Sequence, residues 1–314
     1  MRGSRILCLG GGEGWHSDQL LKAADSRGCS LDFATYESLR GNVGKGDVRI
    51  ETEAGPAADF DVVMTRTMPA GNLERVTFRL ATLHALDDAS SPVRIVNRPR
   101  SLEIAIDKFA TLARVAGLGF RVPETVVVQS RGEAVDAFRE LGGDVVVKPL
   151  FGGEGRGIMR IRDAELAWYT FSTLDNLGAV AYLQRFIPPG GRDTRVLVIG
   201  DEMRAIRRIS DSDFRTNVSS GGRCESIEMT SDLQEMARRV CGDIGLRFAA
   251  VDLIDSDDGE PCVIEVNAIP GWKGAQQVTR ESIAGMIVDM LQSEAQPETE
   301  QVENGAPQEA KASH

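Results

Sequence analysis

An α/β unit that gives way to a strand-rich α+β body is the architecture this sequence predicts, and three observations carry it. Residues 4–100 alternate strand-like and helix-like segments, the pattern of a parallel sheet with crossover helices. Pro188-Pro189-Gly190-Gly191 marks a sharp break. Beyond it the chain, from RVLVIGDEMRAIRRI to EVNAIP, is rich in strands around a single helix, DLQEMARRVCGDIG.

In order, RILCLGG reads as a strand, SDQLLKAADSRG as a helix and LDFATYE as a strand. DVVMTRT has the continuous apolar character of a buried strand, and NLERVTFRLATLHALDDA the period of a long amphipathic helix. VRIVNRP is a further strand. SLEIAIDKFATLARVAGLG reads as one helix closed by glycines. VPETVVVQS, RGEAVDAFRELGG and DVVVKPL follow as strand, helix and strand. After the loop FGGEGRG come IMRI, a helix near DAELAWYTFSTLDN and the strand AVAYLQRFI. No internal repeat is visible. Met64, Met68 and Phe78 are expected in the core.

Composition narrows the function classes. A length of 314 residues allows two domains or a large body with a satellite. A net charge of −11 argues against a general nucleic-acid binder, which needs a basic surface. No apolar run approaches a membrane span, and Ile6-Leu7-Cys8-Leu9 is too short for a signal-peptide core, so a cytoplasmic chain is expected. The Asn217-Val218-Ser219 sequon is then a chance match. Cysteines 8, 29, 224, 241 and 262 contain no CxxC pair, which fits reduced thiols. Cys224 has no His partner nearby in sequence and reads as inert. Histidines 16, 84 and 314 lack zinc-ligand spacing, so any metal would fall to carboxylates. The end of the chain, with its Glu-rich and apolar-poor composition, reads as a disordered tail.

Gly10-Gly11-Gly12-Glu13-Gly14 sits where a dinucleotide fingerprint would sit. Trp15 replaces the third glycine, so a tight strand-to-helix turn is favoured over an NAD site. More informative is Asp252, thirteen residues before Glu265, with Asn267 two further on. Alternation along a strand turns Glu265 and Asn267 to one face, and a hairpin would bring Asp252 to it. Three hard oxygen donors there would suit Mg²⁺, while two acids on the wet face of an ordinary hairpin is the plainer alternative. Upstream, Val145-Val146-Val147-Lys148 is a buried strand ending in a lysine. Phe151-Gly152-Gly153-Glu154-Gly155-Arg156-Gly157 follows, able to aim N–H groups at an anion. A mobile loop beside a snorkelling lysine is the competing reading. No G-x-x-x-x-G-K-[ST], no H-R-D with D-F-G and no G-x-S-x-G occurs, so P-loop, kinase and hydrolase sites are excluded.

The order of these pieces carries more than any one of them. VVVKPLFGGEGRGI, YLQRFI, DFRTNVSSGG and the VDLI…EVNAIPG pair together resemble the ATP-grasp superfamily and, within it, the RimK-like amino-acid ligases, over about residues 95–292. The resemblance implies an ATP-grasp fold of two α+β subdomains clasping ATP, preceded by a small Rossmann-like α/β domain. The implied division is 1–97 for that first domain and 98–190 for the central and lid subdomain. Residues 191–293 would be the metal-binding subdomain, and 294–314 an acidic tail. Lys108 and Lys148 would contact the phosphates, with Gly152, Gly153, Gly155, Arg156 and Gly157 folding over them. Gln184, Arg185, Phe186 and Ile187 would form the adenine hinge, and Asp193 would bind on the ribose side. Asp252, Glu265 and Asn267 would hold Mg²⁺ or Mn²⁺, two ions with Glu265 bridging them. Arg207, Arg215 and Asn217 would surround the γ-phosphate and a substrate carboxylate, and Arg195 would bind substrate.

Three departures stand out. Arg185 replaces the usual hinge Glu, Glu154 and Arg156 stand where small or neutral residues are commoner, and Trp272-Lys273 replaces a small or aliphatic pair. Trp272 is either an acceptor-binding platform or simple packing. The implied activity is an ATP-dependent carboxylate–amine ligase working through an acyl phosphate with release of ADP. It would add glutamate to a cofactor precursor or a protein tail. The alternatives are a D-alanine or amino-group-carrier branch, or a nucleotide-binding regulator without turnover. No nucleic-acid or membrane partner is expected, and a homo-oligomer is compatible with the sequence.

Overall fold

The structure is a computed structural model that describes residues 3–88, 93–153, 155–217, 221–256 and 259–295. The Glu154 and Asn217-Val218-Ser219 expectations, and the acidic tail, lie wholly or partly outside the described residues.

The first unit contains β1 (Arg5–Leu9), α1 (Trp15–Ser26), β2 (Ser30–Ala34), β3 (Arg40–Gly44), β4 (Asp47–Thr52), β5 (Gly55–Pro56), β6 (Val62–Thr65), α2 (Leu73–Leu86) and β7 (Arg94–Val96). A parallel sheet of order β2-β1-β6-β7 forms from the strands expected. An antiparallel sheet β3-β4-β5 arises from residues 40–56, of which only β4, with Val48 and Ile50 between polar residues, alternates. Phe78, expected in the core, is instead 46% exposed. It stands on α2 over Gly41 of this small sheet, a position that the helix period alone could not separate from an inward one. Met64 is fully buried and Met68 is packed against the core.

SLEIAIDKFATLARVAGLG forms two helices, α3 (Pro99–Ile106) and α4 (Lys108–Gly117). The break falls at Asp107, whose extended backbone and Oδ1 cap the second helix by accepting from the N–H groups of Phe109 and Ala110 at 2.8 and 3.1 Å. Aspartate competes with the helix for backbone donors, so it starts a new helix more readily than it continues one.

A separate lobe follows: β8 (Thr125–Val128), α5 (Arg131–Glu140), β9 (Val145–Lys148), β10 (Met159–Ile161), α6 (Ala164–Asn176) and β11 (Ala181–Arg185). Its sheet, β10-β9-β11-β8, is antiparallel and has its own core, with Phe138, Val145, Phe171 and Leu183 at the centre. The last part holds β12 (Arg192–Ile199), β13 (Glu202–Ile209), β14 (Arg223–Ser226), α7 (Ser231–Ile244), β15 (Phe248–Asp255), β16 (Pro261–Asn267), α8 (Lys273–Val278) and α9 (Ile283–Glu294). Its strands form the antiparallel sheet β14-β13-β12-β15-β16.

The apolar clusters do not divide at residue 97. Ile6, Val62 and Met64 of the first unit pack with Leu197, Phe248, Trp272 and Ile287 of the last, and a second cluster joins Leu9 and Val63 to Val196 and Val240. Asn97 is the polar staple of this fusion. Its Nδ2 donates to the carbonyls of Phe248 and Ala268, both at 2.7 Å, and its Oδ1 accepts from the N–H groups of Arg247 and Phe248. An Asn97→Ala variant strands several of these buried backbone groups. It is expected to lower unfolding free energy by about 3 kcal/mol or more. Urea denaturation measures this, and a loss under about 1 kcal/mol would refute the staple.

Candidate active site

Residues of two sheets, β10-β9-β11-β8 and β14-β13-β12-β15-β16, border one cleft. The first lobe lines it with Val146, Lys148, Gly155 and Gln184 through Ile187. The second lines it with Asp193, Arg208, Arg215, Asn217, Asp252 and Glu265. Most residues expected to meet nucleotide are thus on one surface, though far apart in sequence.

Lys148 ends β9 with its side chain buried and its Nζ donating to Gln184 Oε1 at 2.6 Å. Gln184 is fixed in turn by donating from Nε2 to Thr125 Oγ1 at 3.0 Å. Desolvation pulls the Lys148 ammonium down to about 8, against a raising influence from Glu265 and a further lowering one from Lys108. A buried ammonium whose pKa is drawn down in this way regains it when an anion arrives beside it. Lys108 opens α4 and donates from Nζ to the carbonyl of Gly152 at 2.5 Å, with Glu265 Oε1 at 3.9 Å. Desolvation lowers its pKa as well. We expect Lys148→Ala to weaken ATP binding about tenfold or more, as loss of a hydrogen-bonded charge does. Calorimetric titration tests this, and unchanged affinity would count against the role.

In the glycine loop, Gly155 takes φ 72° and lies so close to Asn217 that a Cβ would stand 2.5 Å from its Oδ1. The loop therefore rests against the segment that follows Arg215. Gly152 and Arg156 are exposed. In the hinge, the Arg185 side chain turns away to pair with Glu124, and the N–H groups of Arg185 and Phe186 donate to the carbonyls of Glu124 and Asp144. Those two N–H groups are committed inside the fold.

On the opposite sheet, register settles which side chains meet. Asp252 pairs with Glu265 and Ala250 with Asn267, so all three candidate ligands share a face, and Asn267 Nδ2 lies 3.4 Å from Asp252 Oδ2. Asp252 is 2% exposed and gripped twice. Arg195 donates from Nε and Nη2 at 2.7 Å each, and Arg208 Nη2 stands at 3.0 Å. Arg208 also donates to Asp193 at 2.7 and 2.6 Å, and the Thr216 hydroxyl donates to Asp193 Oδ2. Burial pushes both carboxyls up. At Asp252 two guanidinium groups outweigh it and hold the value at about 2. Asp193 shares its arginine and feels the Asp252 charge, so it stays raised.

Two expectations need correction, and at Trp272 the packing alternative holds. Arg207 pairs across the sheet with Thr194, whereas Arg208 pairs with Asp193, so alternation puts Arg207 on the face away from the cleft. Two adjacent arginines left the phase open in the sequence, and the register chose Arg208. Arg195 commits its fork to Asp252 instead of a substrate carboxylate. Trp272 is 0% exposed, its ring packed by Trp15, His16, Phe248 and Arg66, so no open platform exists there. Arg215 lines the cleft with Nε and Nη2 on Asp213. Cys224 has its thiol pKa raised, by burial first, which agrees with an inert group.

The donor set fits a divalent cation in part. Glu265 has an oxygen no closer than 3.9 Å to a lysine, and Asn267 keeps Oδ1. Asp252 could join only by sharing oxygens with its arginines. One or two carboxylates plus an amide, with water and phosphate completing the shell, is what Mg²⁺ accepts.

A lysine at the end of one sheet and carboxylates on a second, lining one cleft, fit an ATP-dependent carbon–nitrogen ligase of the ATP-grasp class. Residues 105–291 match the model of the RimK-like ATP-grasp domain, and the chain belongs to that family. It is 34% identical over 209 residues to the tetrahydromethanopterin:alpha-L-glutamate ligase of Methanocaldococcus jannaschii, covering 63% of this chain and 70% of that protein. It is 30% identical over 285 residues to a probable alpha-L-glutamate ligase of Citrobacter koseri, covering 89% and 92%. The solved structure of the ATP-grasp ligase PsnB with its minimal precursor superposes with a TM-score of 0.74 at 22% identity, over 94% of this chain and 100% of that one. That likeness shows the fold. Among the described residues no helix is long and apolar enough to cross a membrane.

Proposed function

We propose that this ligase joins the amine of glutamate to a carboxylate on a cofactor precursor or a peptide. The reading is supported chiefly by one observation: Lys148 on one sheet and Asp252 and Glu265 on the other line a single cleft. The glutamate assignment draws on the names of the relatives.

Lys108 and Lys148 hold the β- and γ-phosphates, and the glycine loop, tethered through Gly152 to Lys108, covers them. Gln184 keeps the Lys148 ammonium aimed into the cleft. Backbone at Ile187, beyond the committed N–H groups of the strand, meets adenine. Glu265 and Asn267 would hold Mg²⁺, with Asp252 behind them and two ions expected; bound there, the metal neutralises phosphate charge. An acceptor carboxylate oxygen attacks the γ-phosphorus, the bond to the bridging oxygen breaks and ADP leaves. The amine nitrogen then attacks the acyl carbon, inorganic phosphate leaves with the C–O bonding pair, and the nitrogen loses its proton. Arg215 and Asn217 flank the transferred phosphoryl group from the connection between β13 and β14. Catalysis is positioning and charge neutralisation, with no covalent enzyme intermediate.

A coupled ADP-release assay over amino acids and carboxylate acceptors, with products identified by mass spectrometry, tests the reading. Glutamate-dependent ADP and amide formation is expected. AMP and pyrophosphate would rule out the acyl phosphate.

A further inference from the structure

The glycine turn after β1 and the segment after β6 meet at the point where the parallel sheet changes direction. From β1 the chain steps to β2 on one side, and from β6 to β7 on the other. In open α/β sheets the crevice at such a point, beyond the carboxyl ends of the strands, is where ligands bind. Gly11 through Gly14 are exposed, and a Cβ on Gly11 or Gly14 would meet nothing within 4 Å, so there is room above the turn.

Arg66 lies directly beneath. Its Cβ is so near Gly10 that a side chain there would stand 2.7 Å away. The guanidinium stacks over the rings of Trp272 at 4.8 Å and Phe248 at 5.9 Å, and Nη1 donates to the carbonyl of Pro270 at 3.2 Å. Among the described residues no carboxylate pairs with it, although the chain carries a net charge of −11. The rings packed on it add no negative charge, and Glu13 of the turn above is exposed to solvent. His16 Nε2 accepts from the Trp272 backbone N–H at 3.2 Å, and desolvation, then Arg66 and Lys273, hold its pKa down to about 4, so it is neutral. Lys273 is exposed at the rim. A second sign comes from the same cluster: Trp272 Nε1 is buried with no acceptor. A buried donor without a partner is rare and costs free energy. Pro270 is three residues past Asn267, no more than about 11 Å of chain.

We infer that this crevice is the subsite for the unreacting carboxylate of the incoming amino acid, with Arg66 as its cationic partner and Trp272 Nε1–H as a second donor. The inference rests on the proposed amino-acid ligase activity and deepens it. A guanidinium already flattened on an aromatic face presents its remaining donors with little conformational freedom to lose. The placement also explains why Trp272 is buried as a ring while its polar edge still lacks a partner.

The test is calorimetric titration of L-glutamate, and of its α- and γ-amides, into the full chain with ADP and Mg²⁺. Arg66→Met keeps the apolar stem on Trp272. It should weaken glutamate binding about tenfold or more, as loss of a charged hydrogen bond does, without changing ADP affinity. Arg66→Lys should recover part of the loss. On the unaltered protein, one of the two amides should bind about as poorly as glutamate binds to Arg66→Met, and that amide should gain nothing from the arginine; this arm holds even if a variant fails to fold. Equal glutamate affinity in the unaltered protein and a folded Arg66→Met, or full affinity for both amides, overturns the subsite. No binding of glutamate or any other amino acid by the unaltered protein instead overturns the activity on which it rests.

Discussion

Glu265→Ala should reduce Mg²⁺-dependent turnover by about a thousandfold while leaving the protein folded. Glu265 is the carboxylate in the cleft with oxygens still to offer, its nearest described cation being Lys108 at 3.9 Å. Asp252, by contrast, has both oxygens engaged by arginines. Removing Glu265 therefore takes away a hard oxygen donor and costs the part-buried Lys108 only an ion pair at 3.9 Å. Activity alone would not separate a metal role from a disturbed cleft, so ADP binding should be titrated with and without Mg²⁺. The unaltered protein should bind ADP more tightly with the metal, and Glu265→Ala should show no such gain. Near-normal turnover together with an intact Mg²⁺ effect would remove Glu265 from the metal assignment.

Arg208→Met should cost about 3–5 kcal/mol of stability, the range for breaking a buried ion pair. Arg208 is 5% exposed and serves two carboxylates at once, Asp193 at 2.6 and 2.7 Å and Asp252 at 3.0 Å. Without it Asp193 keeps only the Thr216 hydroxyl, and Asp252 keeps Arg195. The larger part of the penalty should therefore sit on Asp193. Urea denaturation at neutral pH reads the loss, and Arg208→Met combined with Asp193→Asn should be less destabilised than Arg208→Met alone. A single-variant loss below about 1 kcal/mol, or no recovery in the double variant, would contradict the network.

Much of the fold could be read from local pattern. The strands β1, β6 and β9 are short apolar runs, β2 alternates polar and apolar residues, and α2 and α7 carry a clear helical period. Misreadings came where local signals compete. Asp107 splits one apparent helix because its side chain caps a new one. In the β3-β4-β5 sheet only β4 alternates, β3 is glycine-rich, β5 has two residues, and much of the sheet faces solvent. At the site, the residue types and their order pointed to a cleft with lysines and carboxylates, but side-chain phase did not follow from them. Arg207 and Arg208 are chemically identical neighbours, and only pairing with β12 distinguishes them. Gln184 offered no sign that its side chain, more than its backbone, would hold Lys148.

Trio spacing, the glycine loop, the break at 188–191 and the strand–helix alternation were thus determined by the sequence itself, because turn chemistry, glycine and alternation act over a few residues. Tertiary structure decided what depends on contacts between distant segments. It joined the first unit to the last through Asn97 and shared cores, sealed Asp252 between two arginines and buried Trp272 against Trp15 and His16. It also left Arg66 on that indole with no carboxylate partner among the described residues. Residue 66 meets residues 248 and 272 only after two sheets have packed, and no periodicity within either segment encodes their register or distance.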